Sequence, residues 1–192
     1  MDTPYQWAKQ VASHFGGMRN GAIVHWPAGI RAKGEVRSQF SHVIDIAATV
    51  LEVAGIPQPT MVHGVTQALL EGVSMAYAFD DAKAAERHTT QYFEMYGNRG
   101  ICHEGWIACT RHRIPWQAMA KVAPLDGEAW ELYDTTTNWT QYQPRDLAKE
   151  QPEKLQELQR LFMLEASKYN VFPLDDRLAE RFTPISQVGP SR

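Results

Sequence analysis

Apolar and polar residues follow two different rhythms along the chain, and the first is typical of an α/β sheet. Residues 21–27 form a short apolar run that ends at Pro27, which predicts a buried strand. A helical pattern follows between Ser41, a good N-cap residue, and Gly55, which stands where glycine often ends a helix. Its apolar positions are Val43, Ile44, Ala47, Val50, Leu51 and Ala54. Strand, loop and helix in this order are the repeating unit of α/β proteins.

The second rhythm is that of short strands separated by two-residue turns. Strands are predicted at residues 89–96, 99–103, 106–111 and 130–134, with turns at 97–98 and 104–105. This spacing predicts an antiparallel meander. Between the two rhythms, residues 57–72 contain several prolines and glycines and predict a surface connection, and residues 75–79 predict a helical turn.

The last clear element is a helix over residues 152–168, with proline in its first turn. Its apolar stripe consists of Leu155, Leu158, Leu161, Phe162 and Ala166. The stripe predicts that this helix covers one face of the antiparallel sheet. The chain is thus expected to contain the end of an α/β core in residues 1–80, an antiparallel subdomain with its covering helix in residues 81–170, and an extended tail in residues 171–192.

Composition limits the class of protein. Of 192 residues, 44% are hydrophobic and 21% are charged, and the net charge of −3 gives no support for nucleic acid or an anionic membrane as a partner. No apolar run reaches the roughly 18–20 residues of a membrane-spanning helix. Residues 1–7 lack the features of a signal peptide, which favours a cytoplasmic location. Cys102 and Cys109 could pair if their strands are neighbours, but we expect two buried thiols.

Residues suited to anions stand together near the N-terminus. Lys9 and Arg19 flank the glycine pair Gly16 and Gly17. Paired glycines permit close backbone approach and positive φ angles, and cations beside such a loop suit a cluster of anionic oxygens. Taken alone, the pattern favours an ordinary turn with solvated cations over an anion site.

The sequence around His25 and His42 favours structural roles for these two histidines. His25 stands beside Trp26 at the end of the predicted strand and is expected to be a core residue. His42 and Asp45 have the i, i+3 spacing that presents two metal ligands on one helix face. Because no third ligand stands nearby, a structural hydrogen bond near the helix N-terminus is the favoured interpretation.

The later histidines divide into two groups. His103 and Glu104 occupy a predicted turn between strands, where functional side chains often project. Both a role in lining a functional site and a purely structural role in the turn stay open. We keep His103 as a candidate substrate contact. His88 and His112 each neighbour an arginine and are expected to be exposed.

The motifs taken together resemble the sulfatase family, most closely its large bacterial arylsulfatases. The pattern Lys9-x6-Gly16-Gly17-x-Arg19 with residues 23–30 resembles the segment before the family's last core strand, and residues 41–56 resemble its next helix. The other matching stretches are Gly64 with residues 71–74, residues 91–95, 98–101, 131–134 and 146–148, and the helix from Pro152. The resemblance covers nearly the whole chain.

The resemblance implies the C-terminal part of an alkaline-phosphatase-like α/β fold, with a smaller subdomain of antiparallel sheet plus helix. It implies hydrolysis of small-molecule sulfate esters at a formylglycine made from cysteine, beside a divalent cation that is usually calcium. The metal and lysines neutralise the sulfuryl oxygens while a hydrated aldehyde attacks sulfur. Lys9 occupies the position of the family's sulfate-contacting lysine, and Phe15 stands where the family often has glutamate.

The chain departs from the family in what it lacks. Neither Cys102 nor Cys109 belongs to a Cys-x-Pro-x-Arg nucleophile motif, and the family's metal-binding aspartates are missing, so no metal ligand is expected here. We therefore expect an arylsulfatase fragment that is inactive alone. The alternatives are a non-catalytic module that pairs with a separate N-terminal half, and a phosphate or phosphonate ester hydrolase of the same superfamily. Uncovered apolar faces at residues 21–27 and 41–55 predict poor solubility in isolation.

Overall fold

Residues 5–117, 124–136 and 145–175 are described in the computed structural model of the chain. Its helices are α1 (Phe15–Met18), α2 (Asp45–Ala54) and α3 (Pro152–Lys168), with 3₁₀ turns at Ala76–Ala78 and Pro115–Gln117. Its strands are β1 (Met61–Val62), β2 (Val65–Thr66), β3 (Thr90–Met95), β4 (Asn98–His103), β5 (Trp106–Thr110) and β6 (Glu131–Asp134). Of the tail expected over residues 171–192, the part after residue 175 lies outside the described residues.

The described chain forms two compact units. The sheet unit consists of residues 5–20 and 90–175, and the α2 unit consists of residues 21–89. This division differs from the predicted boundary after residue 80, because residues 5–20 pack with the sheet unit and β3 begins only at Thr90.

The sheet unit contains the predicted antiparallel meander, with strand order β3-β4-β5-β6. Its first hairpin turns at Tyr96 and Gly97, one residue earlier than predicted, and the second turns at Glu104 and Gly105. All four residues have φ angles between 46° and 82°. Two-residue turns of this left-handed kind match the twist of antiparallel strands, which explains why the register is regular on both sides.

Helix α3 covers one face of this sheet, as its apolar stripe predicts. The buried core consists of Ile101, Ala108 and Leu132 from the sheet and Leu158, Phe162 and Ala166 from α3. The three sheet residues are opposite one another in register on neighbouring strands, so their side chains point to the same face. None of the described helices is long and apolar enough to cross a membrane.

The other face of the sheet carries the residues that alternate with this core. They are Gly100, Cys102, Ile107, Cys109, Glu131 and Tyr133. A Cβ atom at Gly100 would lie 3.4 Å from the carbonyl oxygen of Ser13, so the N-terminal segment passes closely over the strand. This approach brings Ser13 and His14, both fully buried, against the sheet.

The α2 unit has a polar interior. Asp45 and Thr49 are the buried residues of α2, and the Thr49 hydroxyl donates to the Asp45 carbonyl at 2.7 Å. Most of the predicted apolar positions face outward, with Val43 68% and Val50 56% exposed, and Leu51 is half-buried. The helix begins at Asp45 rather than after Ser41, and it ends as predicted at Gly55, whose φ is 65°.

The predicted strand over residues 21–27 is wrong for the described structure. Residues 21–29 are exposed and irregular, and Ile23 is 97% exposed. A strand requires a neighbour for its backbone hydrogen bonds, and no strand of the described residues pairs with this segment. His25, expected in the core, is exposed, and Trp26 is 37% exposed with its ring against Gly29.

The connection over residues 57–72 lies mostly at the surface, as predicted. Within it, β1 and β2 form a small hairpin that turns at His63 and Gly64, with φ angles of 49° and 80°. The predicted helical turn at residues 75–79 is confirmed as the 3₁₀ turn Ala76–Ala78.

Candidate functional site

Lys9 lies in an unusual turn of the N-terminal segment. Trp7 and Gln10, on either side of it, are non-glycine residues with φ angles of 65° and 76°. Such residues cost about 1–3 kcal/mol each and persist only where the surrounding structure fixes them. The Gln10 carbonyl is fixed by the Asn98 side-chain amide, which donates to it at 3.2 Å. Lys9 is exposed, and its ammonium group has no hydrogen-bond or ion-pair partner among the described residues.

The glycine pair serves the packing of this segment on itself. Gly16 and Gly17 lie in α1 with helical rather than positive φ angles. A Cβ atom on Gly16 would clash with the Trp7 carbonyl oxygen, and one on Gly17 would clash with the Val11 carbonyl oxygen. The glycines therefore permit close backbone approach, here between parts of the N-terminal segment itself.

Arg19 is held in aromatic contacts. Its guanidinium carbon lies 5.2 Å from the centroid of the Tyr5 ring and 5.4 Å from that of Phe15. Such cation–π contacts attract the guanidinium to the ring faces. Of the two cations expected beside the glycine pair, Lys9 is thus the one that faces solvent.

Trp7, two residues before Lys9, contacts a second tryptophan and an arginine at the surface. The rings of Trp7 and Trp116 stack with centroids 6.4 Å apart and an interplanar angle of 26°. The Arg111 guanidinium carbon lies 4.5 Å from the Trp7 ring centroid, and Trp116 is 67% exposed. We name Trp7, Arg111 and Trp116 the aromatic–arginine surface. Apolar ring faces beside cations suit a flat ring that carries a negative group.

A buried polar group lies on the sheet face under the same segment. His14 Nε2 lies 3.0 Å from Glu131 Oε2 and 3.8 Å from Cys109 Sγ, and Cys109 and Glu131 are opposite each other on β5 and β6. The Ser13 hydroxyl lies 2.9 Å from His14 Nδ1, and the Tyr133 hydroxyl donates to Glu131. His14 and Cys109 are fully buried. His14 and Glu131 are 117 residues apart in the sequence, so no local sequence pattern could predict this group.

The electrostatics of this group favour a charged carboxylate and a neutral thiol. The hydrogen bond from His14 is the main cause that lowers the pKa of Glu131, and it outweighs the opposing effect of burial. Burial, aided by the negative charge of Glu131, raises the pKa of the Cys109 thiol well above its usual range. Burial also raises the pKa of Cys102 to about 12. Both cysteines are free thiols, as expected.

His103, the second candidate substrate contact, lies at the turn between β4 and β5. Its Nδ1 lies 2.7 Å from the Thr90 hydroxyl, and its Nε2 lies 3.9 Å from Glu104 Oε2. Within the described residues, no hydrogen bond, ion pair or ring contact joins His103 to Lys9.

Asp45 is the structural centre of the α2 unit. Its carboxylate accepts the backbone N–H groups of His42 at 2.7 Å and Val73 at 2.8 Å, and His88 Nδ1 lies 2.8 Å from both of its oxygens. The structural hydrogen bond predicted for His42 and Asp45 is confirmed. The expectation that His88 is exposed is wrong, because His88 closes over this buried carboxylate.

His112 was also expected to be exposed and is buried. Its backbone N–H donates to Asn98 Oδ1 at 2.9 Å, and its ring contacts the Glu128 carboxylate through Nδ1. An arginine neighbour in sequence therefore said nothing about burial, because alternate residues near a strand end point in opposite directions.

Comparison with known proteins establishes the family. The C-terminal domain of N-sulphoglucosamine sulphohydrolase, as a family, matches residues 5–160, and the chain belongs to this sulfatase family. The solved structure of BT4656 in complex with its substrate D-glucosamine-2-N,6-O-disulfate is similar, with 20% sequence identity and a TM-score of 0.54. The match covers 81% of this chain and 30% of that chain, so this chain spans less than a third of that relative's length.

These similarities confirm the expected fold class, the C-terminal portion of an alkaline-phosphatase-like α/β sulfatase with a smaller antiparallel sheet plus helix subdomain. They leave the roles of Lys9 and His103 as predictions.

The calcium ion implied by the family resemblance does not fit the described residues. Calcium takes about 6–8 oxygen ligands. Within the described ranges, His14, Cys109 and Glu131 are the one group of three or more His, Cys, Asp and Glu residues whose ligand atoms lie close together. They offer one carboxylate, one imidazole and one sulfur, so calcium is assigned to none of them.

Proposed function

We propose that this chain is the C-terminal part of an arylsulfatase, a sulfuric ester hydrolase, and that Lys9 contacts the sulfate group of the substrate. The observation that carries the proposal is the exposed Lys9, held between two left-handed residues inside the region that the sulfatase family matches. A strained segment around a cation with no partner among the described residues suits a ligand site.

The role of Lys9 follows from the chemistry of sulfate ester hydrolysis. Negative charge on the sulfuryl oxygens must be stabilised while the ester oxygen leaves, and a compact ammonium placed in advance supplies that stabilisation. Lys9 binds and orients the sulfate in this scheme. It neither attacks sulfur nor protonates the leaving oxygen.

The aromatic–arginine surface and His103 are proposed to contact the organic part of the ester. Trp116 offers an exposed ring for an aromatic or sugar ring, and Arg111, which lies over the neighbouring Trp7 ring, adds a positive charge. His103, held by Thr90, would contact a hydroxyl or ester oxygen. Ring stacking and cation contacts of this kind set orientation, which raises the effective concentration of the reacting groups.

The remaining chemistry is proposed to come from the rest of the sulfatase. The chain covers 30% of BT4656, and the formylglycine nucleophile and the calcium ligands are expected in the part that it does not cover. The outward apolar side of α2, with Ile46 and Val50, is proposed to pack against that part. The isolated chain is then inactive, and a longer chain or a separate N-terminal half restores activity.

Hydrolysis of 4-nitrophenyl sulfate by a full-length sulfatase that contains this chain tests the role of Lys9. Lys9→Ala is expected to lower kcat/KM by about 100-fold to 1000-fold, the usual cost of one lost charge-stabilising donor. Lys33→Ala, which removes an exposed lysine of the α2 unit, is the matched control and should change little. Equal activity of the Lys9 variant and the control would refute the proposal.

The isolated chain provides a second test. It is expected to show no hydrolysis of 4-nitrophenyl sulfate with or without calcium, and metal-dependent turnover by the purified chain would contradict the proposal that the nucleophile lies elsewhere. Faster hydrolysis of 4-nitrophenyl phosphate than of the sulfate by the full-length enzyme would instead favour a phosphate ester hydrolase of the same superfamily.

A sulfated amino sugar is the second candidate substrate, favoured by the similarity to BT4656. The exposed ring of Trp116, which stacks on Trp7, suits a sugar ring as well as an aromatic one. Trp116→Ala distinguishes an aryl sulfate from a sulfated amino sugar as the substrate. The loss of stacking should weaken binding of the substrate whose ring stacks on Trp116 more than binding of the other. The expected readout is a raised KM for one substrate class with the other little changed.

A further inference from the structure

His14, Cys109 and Glu131 form a largely buried group that the proposed contact with sulfate does not use. We propose that these three residues bind a borderline-soft divalent cation, with Zn²⁺ as the best fit. The site is built across the outer half of the sheet, from one side chain of the N-terminal segment and two of neighbouring strands.

The spacing of the ligand atoms supports coordination. One atom from each residue lies within 4.8 Å of the others, with His14 Nε2 3.0 Å from Glu131 Oε2 and 3.8 Å from Cys109 Sγ. Zinc bonds of about 2.0–2.3 Å place neighbouring tetrahedral ligands roughly 3–4 Å apart. A cation between the three atoms therefore needs only small movements of side chains.

Two of the ligands are positioned by the backbone. Cys109 and Glu131 are opposite each other in the β5–β6 register, so their side chains project from the same face side by side. The backbone at Ser13 lies close to β4 at Gly100, which brings His14 over this pair.

Neighbouring hydroxyls orient the ligands as the outer partners of metal sites do. Ser13 lies 2.9 Å from His14 Nδ1. When the imidazole proton is on Nδ1, the Ser13 hydroxyl oxygen accepts it and Nε2 presents its lone pair to the cation. The Tyr133 hydroxyl donates to Glu131 and holds that carboxylate on the side of His14.

Charge balance explains why a cation would be taken up. Before binding, Cys109 is a free, buried thiol. On binding, the S–H bond breaks, the proton goes to solvent and a sulfur–metal bond forms. One thiolate, one carboxylate and one divalent cation sum to zero, which is the charge state that a buried site favours.

The donor set selects the metal class. Imidazole nitrogen and thiolate sulfur favour zinc and similar transition metals, while magnesium and calcium favour oxygen ligands. With three protein ligands, the fourth position of a tetrahedral ion is left for solvent or for another oxygen, and Glu131 is the ligand through which the group reaches solvent, since its side chain is 34% exposed.

Cobalt(II) is a suitable probe, because it takes zinc sites and gives visible absorption that reports tetrahedral geometry and a near-ultraviolet band that reports thiolate ligation. The full 192-residue chain should bind one Co²⁺ with both signals, and Zn²⁺ should displace it, whereas excess Ca²⁺ should not. Cys109→Ser should lose the thiolate band. Cys102→Ser, which removes an equally free buried thiol on the same sheet face, should retain it.

Two more variants separate ligation from folding. Glu131→Gln keeps the shape of the side chain and should weaken Zn²⁺ binding, and Ser13→Ala should weaken it by about tenfold through the orientation of His14. Far-ultraviolet circular dichroism of each variant reports whether the sheet has formed. If Cys109→Ser fails to fold, the thiolate band of the unmodified chain and of Cys102→Ser still decides the question.

The proposal is overturned if the folded chain shows no thiolate band with Co²⁺, or if the band survives in Cys109→Ser and disappears in Cys102→Ser. Because no step of this test uses sulfate ester hydrolysis, its failure would leave the proposed function standing, and the reverse also holds.

Discussion

The two helices of ordinary length, α2 and α3, bury opposite kinds of residue. In the sheet unit, α3 buries Leu158 and Phe162 against the apolar face of the meander and leaves most of its charged residues in solvent. In the α2 unit, α2 buries Asp45 and Thr49 and leaves Val50 in solvent. Hydrophobic periodicity predicts which side of a helix needs a partner, and only α3 finds that partner within the described residues.

The difference implies two sources of stability. The sheet unit is expected to depend on burial of apolar area, whereas the α2 unit is expected to depend on hydrogen bonds to one buried carboxylate. Variants in each unit, compared by amide hydrogen exchange over residues 45–54 and residues 90–110, test this contrast.

Phe162→Ala should give the largest effect. Phe162 is 1% exposed and contacts the Trp130 ring edge to face, with centroids 5.7 Å apart. Its truncation is expected to cost about 3–5 kcal/mol through lost burial and a cavity. Protection over residues 90–110 should fall, and protection over residues 45–54 should stay the same. The comparison fails if both regions lose protection equally. Met163→Ala, on the exposed side of α3, is the control.

Asp45→Ala should destabilise the α2 unit by about 3 kcal/mol. The substitution leaves the His42 and Val73 amides and the His88 ring without their acceptor in a buried place. Exchange over residues 45–54 should become fast while the sheet unit is unchanged. Glu52→Ala, on the exposed side of the same helix, should change stability by less than about 0.5 kcal/mol. Equal effects of the two substitutions would contradict a carboxylate-centred unit.

Gly55 and Gly97 both have positive φ angles, and substituting each by alanine distinguishes the cost of backbone strain from the cost of steric crowding. Gly55 in the α2 unit has φ 65° and open space around it, so Gly55→Ala should cost about 1 kcal/mol from strain alone. Gly97 in the sheet unit has φ 82°, and a Cβ atom there would lie 2.6 Å from the His112 ring and 2.8 Å from Leu125. Gly97→Ala should therefore cost about 2 kcal/mol or more by chemical denaturation. Equal costs would show that crowding at Gly97 is relieved without penalty.

The two units should also differ in their response to acid. Burial, and then the charge of His88, lowers the pKa of His42 from 6.5, so the folded α2 unit binds fewer protons than the unfolded chain as pH falls. Its stability should be complete above pH 6.5 and should decline below it. The sheet unit should keep its stability to a lower pH. Its shifted group is Glu131, whose pKa is lowered from the ordinary 4.5, so the contribution of Glu131 to stability is lost only below pH 4.5.

Hydrogen exchange at about pH 7.5 and about pH 5.5, corrected for the intrinsic exchange rate, measures this difference. His42→Gln should change stability little at the higher pH and should reduce the loss in the α2 unit at the lower one. A loss at the lower pH that is unchanged in His42→Gln would assign the effect to another group.

Val50→Ser should have the smallest effect on stability, within about 0.5 kcal/mol, because the side chain is 56% exposed. It should nevertheless raise the soluble fraction of the isolated chain, which we expect to be low because of the outward apolar side of α2. A soluble monomer with a sharp cooperative melt before any substitution would contradict that expectation.

The sequence predicted elements best where local pattern and tertiary contact agree. The meander, α3 and the end of α2 at Gly55 follow from turn residues, apolar periodicity and a glycine suited to a left-handed φ angle, all of which act over a few residues. The strand predicted over residues 21–27 did not form in the described structure, because a strand depends on hydrogen bonds from neighbours that its own residues do not supply.

The candidate sites show the same limit. The sequence singled out Lys9 and the close approach of Gly16 and Gly17, which are local features, and it predicted Cys109 only as a buried thiol. It could not bring His14 to Glu131 or Arg111 to Trp7, since each pair is separated by about a hundred residues and is joined only by the sheet register and the path of the N-terminal segment.

By itself, then, the sequence determined the family, the order of the later elements and the choice of Lys9 as the cation proposed to meet sulfate. The tertiary structure decided which side of each helix is buried and which distant donors meet under residues 5–20. The physical reason is range, since turn geometry and periodicity are properties of a few adjacent residues, while burial and coordination depend on atoms that only the folded chain brings together.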